Sequence, residues 1–141
     1  MRLFGRRYDT GELVCLETAG GTISRRTALP PGQDGLPRWP WIAPGLLDIQ
    51  VNGYGGEEFS SPDLTPEKVA AIVRRYDEFG VTRCCPTLFT QSFGVMRHAV
   101  QTIAAACQSS PDLARRIAGI HVEGPYLSPE DGPRGAHPLE H

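Results

Sequence analysis

A carboxylate at the end of an apolar run is the residue in this sequence best placed to do chemistry. Ile117 to Val122 is short and largely apolar, it leads into Glu123, and Gly124-Pro125 then ends the strand and begins a loop. A carboxylate aimed out of a strand end, fixed by a stiff Gly-Pro turn, suits zinc or a similar divalent ion that must activate water. A salt-bridged strand-end carboxylate is the competing reading, and spacing alone leaves both open. Two other apolar runs end in the same way, at Gln50 with Asn52 and at Thr87 with Thr90. Amides are poor zinc ligands beside imidazole, so Gln50 and Asn52 read as hydrogen-bonding wall residues or as ties for the loop Gly53-Tyr54-Gly55-Gly56. His121 lies two positions before Glu123, shares its strand face and reads as an orienting or packing residue. Further on, Gly135-Ala136-His137-Pro138 puts an imidazole into a loop.

Those residues need elements to hold them, and the pattern supplies strands alternating with helices. Trp41 to Val51 is a largely apolar run, read as one strand buried on both faces. Thr65 is a helix N-cap with Pro66 at the first helical position, and Val69, Ile72, Val73 and Tyr76 form a stripe that stops before Gly80. Val81 to Leu88 is the next strand. Ser92 to Gln108 is a second helix whose expected apolar face is Val95, Val100, Ile103, Ala104 and Cys107, with His98 a surface or partly buried helix residue. Ile117 to Val122 is the third strand. Strand, helix, strand, helix, strand predicts right-handed βαβ units and a parallel sheet, with ligands beyond the carboxyl ends of the strands. All three polar clusters fall at those ends.

The first forty residues differ. Met1 to Arg26 reads as short strands, among them Glu12 to Leu16 and Thr22 to Ser24, separated by Asp9-Thr10-Gly11 and Ala19-Gly20-Gly21. Thr27 to Pro40 is rich in Pro and Gly and reads as a connector. The expected organisation is therefore a small β unit with its connector over 1–40, and an α/β unit over 41–141.

Composition narrows the partners. The chain has 141 residues, 40% hydrophobic and 21% charged, with a formal net charge of −2. Lys68 is its single lysine, and Arg6-Arg7, Arg25-Arg26, Arg74-Arg75 and Arg115-Arg116 are isolated pairs rather than a stripe, which argues against nucleic acid. No window of about 18 apolar residues suggests a membrane span and no apolar signal core is present, so a cytoplasmic location is expected. Cys15, Cys84, Cys85 and Cys107 lack C-x-x-C spacing and read as free, buried thiols.

The ordered set Pro44-Gly45-Leu46-Leu47-Asp48-Ile49-Gln50-Val51-Asn52-Gly53, Pro86-Thr87-Leu88, Gly119-Ile120-His121-Val122-Glu123-Gly124-Pro125-Tyr126 and Gly135-Ala136-His137-Pro138 resembles the N-acetylglucosamine-6-phosphate deacetylases, of the amidohydrolase superfamily. That resemblance covers Trp41 to about Pro138 well and the first forty residues loosely. It implies a metal-dependent (β/α)8 barrel with a β-sandwich made from both chain ends, here the N-terminal part only. It also implies hydrolysis of the acetamide of N-acetylglucosamine 6-phosphate to acetate and glucosamine 6-phosphate. On the matching positions, Glu123 would be the metal ligand and Ala136 with His137 would contact substrate. Many amidohydrolases carry His-x-His where Gln50 and Asn52 stand, and the departure implies a single metal ion, zinc being expected. The complete enzyme is expected to be a homodimer.

A (β/α)8 barrel needs about 250 residues, and three strands fall well short of it. One carboxylate rarely holds zinc alone. The 141-residue chain by itself is therefore expected to be inactive. Two other readings stand beside this one: an amidohydrolase acting on a cyclic amide or another N-acetylated sugar, and a non-catalytic binding fragment. Leu139-Glu140-His141 reads equally as native sequence or as the start of an affinity tag.

Overall fold

The turns at Asp9-Thr10-Gly11 and Ala19-Gly20-Gly21 fold the start of the chain into antiparallel strands, because Gly11, Gly20 and Gly21 take the positive φ that such reversals need. A computed structural model describes residues 1–30 and 39–141, which form two units, Met1–Pro44 and Gly45–His141. The middle of the expected connector, residues 31–38, lies outside the described residues.

The first unit contains β1 (Arg2–Arg7), β2 (Leu13–Ala19), β3 (Thr22–Ala28) and β4 (Trp41–Ile42), in the order β3-β2-β1-β4. β2 pairs antiparallel with both neighbours, and β4 adds to β1 in parallel. Burial is concentrated in Leu13, Val14, Cys15 and Leu16 of the central β2, while β3 is exposed along its whole length. β2 and β3 run further than the sequence reading gave them. Thr18 and Ala19 continue the ladder beyond a bulge after Glu17, and Arg25 to Ala28 pair with Val14 to Glu17.

The run Trp41 to Val51 is not one strand. It breaks at Ala43-Pro44-Gly45, where Pro44 offers no donor to a ladder and a side chain on Gly45 would overlap Thr82. Trp41–Ile42 joins the first sheet, and Leu46–Val51 becomes β5 of the second unit. Nor is β5 buried on both faces. Val51 is buried, yet Ile49 is 64% exposed and Leu46 and Leu47 are exposed too. As the outer strand of the sheet β5-β8-β9, it has one neighbour along its edge.

In the second unit a two-residue ladder, β6 (Gly53–Tyr54) with β7 (Glu57–Glu58), follows β5 and leads to α1 (Pro66–Arg75). The Thr65 hydroxyl accepts from the Lys68 amide at 3.3 Å, Pro66 stands where no amide donor is needed, and a turn of 3₁₀ helix ends at Gly80 with φ 75°. Then come β8 (Val81–Phe89), α2 (Phe93–Ser109), α3 (Pro111–Arg116) and β9 (His121–Glu123). Both β5 and β9 run parallel to β8. The core under the sheet joins Val51, Phe59, Leu64, Cys84 and Leu88 to Val69, Ile72 and Val73 of α1, Ala99, Ile103 and Ala106 of α2, and Leu113 of α3.

Two details differ from the sequence reading. α2 buries Ala99, Thr102, Ile103 and Ala106, whereas Val100 and Ala104 are exposed and Val95 and Cys107 are half-buried. Small residues let α2 lie close to its neighbours, and that closeness outweighs the larger side chains the expected stripe had favoured. The third strand is also shorter than expected, because residues 118–120 join no ladder and pairing with β8 resumes at His121. Ser110 caps α3 by accepting from the Leu113 amide at 3.3 Å, Pro111 is its first residue, and Ile117 contributes one isolated bridge to Cys84.

Candidate functional site

In a parallel sheet every strand delivers its carboxyl end to the same edge. The register sets Phe89 opposite Glu123 and Thr87 opposite His121, so the ends of β8 and β9 are level. Side chains from β5 and β9 then meet across β8. The Gln50 amide nitrogen donates to the Glu123 carboxylate, and His121 Nδ1 lies 2.9 Å from the Ile49 carbonyl. His121 thus ties two strands together, as its position beside Glu123 suggested.

Thr90, just past β8 and 3% exposed, is the hub of a second set of contacts. Its hydroxyl donates to the Glu123 carbonyl at 3.1 Å and lies 2.9 Å from His137 Nδ1. Glycine is required next to this hub. Gly124 has φ 84°, and a side chain there would overlap the Thr90 hydroxyl. From the other side Arg134 donates to the His137 carbonyl at 2.7 Å, which holds the Gly135-Ala136-His137 turn in place.

A cleft of about 290 Å³ opens where these contacts converge, lined by Asn52, Phe89, Glu123, Ala136 and His137. Four residues singled out from sequence therefore line one cavity, and a fifth, Gln50, touches the carboxylate of one of them, Glu123. Thr87 does not join them. It is fully buried, accepting from the Val51 amide at 2.9 Å and donating to the Cys85 carbonyl at 3.1 Å, so it stitches β5 to β8 from inside. His98 is likewise structural, with Nε2 3.0 Å from the Leu64 carbonyl. The sequence reading missed Arg134 altogether and gave Thr90 no partner. Phe89 escaped notice because a strand-end aromatic looks like core.

The electrostatics of the cleft rest on Glu123. Among the described residues no lysine, arginine or histidine forms an ion pair with it, so the salt-bridged alternative has no partner there. Nor do three or more His, Cys, Asp or Glu side chains gather at any point among the described residues. Among the described residues the cleft thus offers a divalent ion one carboxylate arm and not a closed site. All four cysteines are free, and burial pushes the Cys84 thiol up to about 11.

No family model matches the chain. Individual relatives do. The N-acetylglucosamine-6-phosphate deacetylase of Homo sapiens is 39% identical over 101 residues, which is 71% of this chain and 24% of that protein. The protein of the same name from Bos taurus is 38% identical over 101 residues, with the same shares covered. This chain is a homologue of curated N-acetylglucosamine-6-phosphate deacetylases. It spans about a quarter of the length of the curated deacetylases it matches. An N-acetylgalactosamine-6-phosphate deacetylase from a Shewanella strain is 37% identical over 102 residues, again 71% of this chain and 24% of that protein. Solved deacetylase structures share the fold. The N-acetylglucosamine-6-phosphate deacetylase of Thermotoga maritima superposes with a TM-score of 0.80 at 21% identity, covering 100% of this chain and 36% of that one. The Pasteurella multocida deacetylase gives 0.74 at 24% identity, covering 99% of this chain and 38% of that one.

Proposed function

We propose that the chain is the N-terminal part of a metal-dependent deacetylase that hydrolyses the acetamide of an N-acetylated hexosamine 6-phosphate, with N-acetylglucosamine 6-phosphate as the first candidate. The reaction adds water across the C–N bond and yields acetate and the free amino sugar phosphate. One observation carries the reading: in a homologue of these deacetylases, a carboxylate with no ion-pair partner among the described residues shares a strand-end cleft with Asn52, Ala136 and His137. In this reading Glu123 gives the metal one carboxylate oxygen, with Gln50 donating to that carboxylate and so fixing its orientation. A bound divalent ion, zinc by preference, supplies Lewis acidity toward water and the amide carbonyl. The Asn52 amide, the Ala136 backbone and the His137 imidazole line the wall against which sugar hydroxyls would be held. Because the described residues of the cleft offer one carboxylate ligand, the activity belongs to the protein at the full length of its relatives.

The finer architecture follows from the same reading. β5, β8 and β9 would be three adjacent staves of a (β/α)8 barrel, with the meeting of Gln50 and Glu123 on the inner face. Met1–Pro44 would be part of the accompanying β-sandwich. A homodimer in the cytoplasm rests on the family likeness. The Shewanella relative supports a second substrate, the 4-epimeric N-acetylgalactosamine 6-phosphate, since its identity to this chain is close to that of the glucosamine enzymes. Acetate release from both sugar phosphates and ring opening of a cyclic amide, assayed on the protein at the length of its relatives, test the proposal. Turnover of one of the two sugar phosphates is expected, and cleavage of the cyclic amide alone would overturn it.

A further inference from the structure

β5 does not run in step with its neighbour just before the cleft. Asp48 stands opposite Cys84 and Val51 opposite Pro86, so three steps along β5 match two along β8, and neither Ile49 nor Gln50 has a register partner. An extra residue of this kind makes a bulge, which bends the strand and re-aims the side chain it carries. Backbone groups at such a break in the ladder need partners of their own, and here side chains supply them. The Gln50 backbone amide donates to Asp48 Oδ1 at 3.0 Å, and the Val51 amide donates to the Thr87 hydroxyl at 2.9 Å. His121 Nδ1 meets the Ile49 carbonyl at 2.9 Å. A carbonyl can only accept, so that ring nitrogen is the donor.

The bulge has its effect at the Gln50 side chain. His121 and Glu123 stand two apart on β9 and share a face, yet they reach past β8 to consecutive residues of β5. His121 meets the Ile49 carbonyl, and Glu123 accepts from the Gln50 side-chain amide. We infer that Asp48 and His121 are positioning residues that hold the bulge in β5, and that the bulge is what presents the Gln50 amide to the Glu123 carboxylate. Neither residue lines the cleft, so both act through Gln50. The bulge and its two holders rest on geometry, whereas the identity of Glu123 as a metal ligand rests on the deacetylase reading. Groups that orient a ligand carry on the order of 10- to 100-fold of metal affinity.

The test uses the protein at the full length of its relatives, first without metal and then with zinc. In the metal-free protein, ¹⁵N NMR follows the side-chain amide of Gln50, assigned by its loss in Gln50→Met. His121→Leu removes the donor and Asp48→Ala removes the acceptor, and both should shift the Gln50 signal. His121→Asn puts an amide donor where Nδ1 stands, Asp48→Asn keeps an acceptor oxygen, and both should hold the wild-type signal, which separates loss of a bond from loss of the fold. Wild-type His121 should carry its proton on Nδ1. In zinc titrations against a chelator, His121→Leu and Asp48→Ala should lose about 10- to 100-fold in affinity, and the two Asn variants should recover most of it. A Gln50 signal unmoved in both His121→Leu and Asp48→Ala, a zinc affinity unchanged in both, or a wild-type His121 protonated on Nε2 alone would overturn the inference. A wild type that shows the expected amide pattern and binds no zinc would overturn the deacetylase reading and leave the bulge and its holders standing.

Discussion

The two units of the chain use polar side chains in opposite ways. In Met1–Pro44 the charged groups pair at the surface, Arg7 with Asp9 two residues away, Arg2 with its register partner Glu17 on the adjacent strand, and Arg26 of β3 with Glu12 just before β2. At the strand ends of Gly45–His141 the polar contacts join residues far apart in sequence: Gln50 with Glu123, Thr90 with Glu123, and His137 with Thr90. A pair between near neighbours can form on any adequate scaffold and contributes little in water. A contact between Gln50 and Glu123 exists only after two parallel strands have formed and been aligned by a third. Long-range polar contacts at strand ends are therefore the ones that report a site.

That contrast can be broken from the core outward. Ile103→Ala should cost about 2–5 kcal/mol, because Ile103 is buried between α2 and the rest of the core and leaves a cavity when truncated. Chemical denaturation measures it, and a loss below about 1 kcal/mol would mean that the α/β unit does not depend on this packing. Gly124→Ala should cost about 1–3 kcal/mol through its positive φ and should also disturb the Thr90 contacts. The readout is denaturation together with the chemical shifts of His137.

The thiol of Cys84 gives a pH signature. Its folded pKa is raised by burial from 9.0 to about 11, so the stabilisation is complete below the unfolded value and is lost as pH rises through the folded one. Stability should fall between about pH 9 and about pH 11, and Cys84→Ala should flatten that decline. The smallest effect belongs to the first unit. Arg7 holds the Asp9 carboxyl below its usual range, so whatever the pair contributes is lost as pH falls through that lowered value. The pair is exposed, and Asp9→Asn should leave the acid unfolding midpoint unchanged within error.

Much of the second unit was legible because its signals are local. The Thr65-Pro66 start of α1, the Gly80 stop and the Ser92 cap each act within a turn of the residue that carries them. The polar clusters at Gln50, Asn52 and Glu123 were legible because strand ends are marked by the residues that stop the strand. What escaped depends on partners outside the window. The burial of β5 was misjudged because an apolar run does not say how many strands will flank it, and here one does. The face of α2 was rotated because close packing selected Ala99 and Ala106 over Val100. Thr87 and Thr90 look alike in sequence, yet the first points into the sheet and the second toward His137.

The central claim is that Glu123 is a metal-binding carboxylate of a deacetylase rather than a surface acid. Its most direct test is the metal content of the protein at the full length of its relatives, compared between wild type and Glu123→Gln by elemental analysis after exhaustive dialysis, with acetate release followed in parallel. Glutamine keeps the shape of the side chain and removes the charge. The account predicts that wild type retains a divalent ion and that Glu123→Gln loses both the ion and turnover while staying folded. A variant that kept its metal and its activity would contradict it.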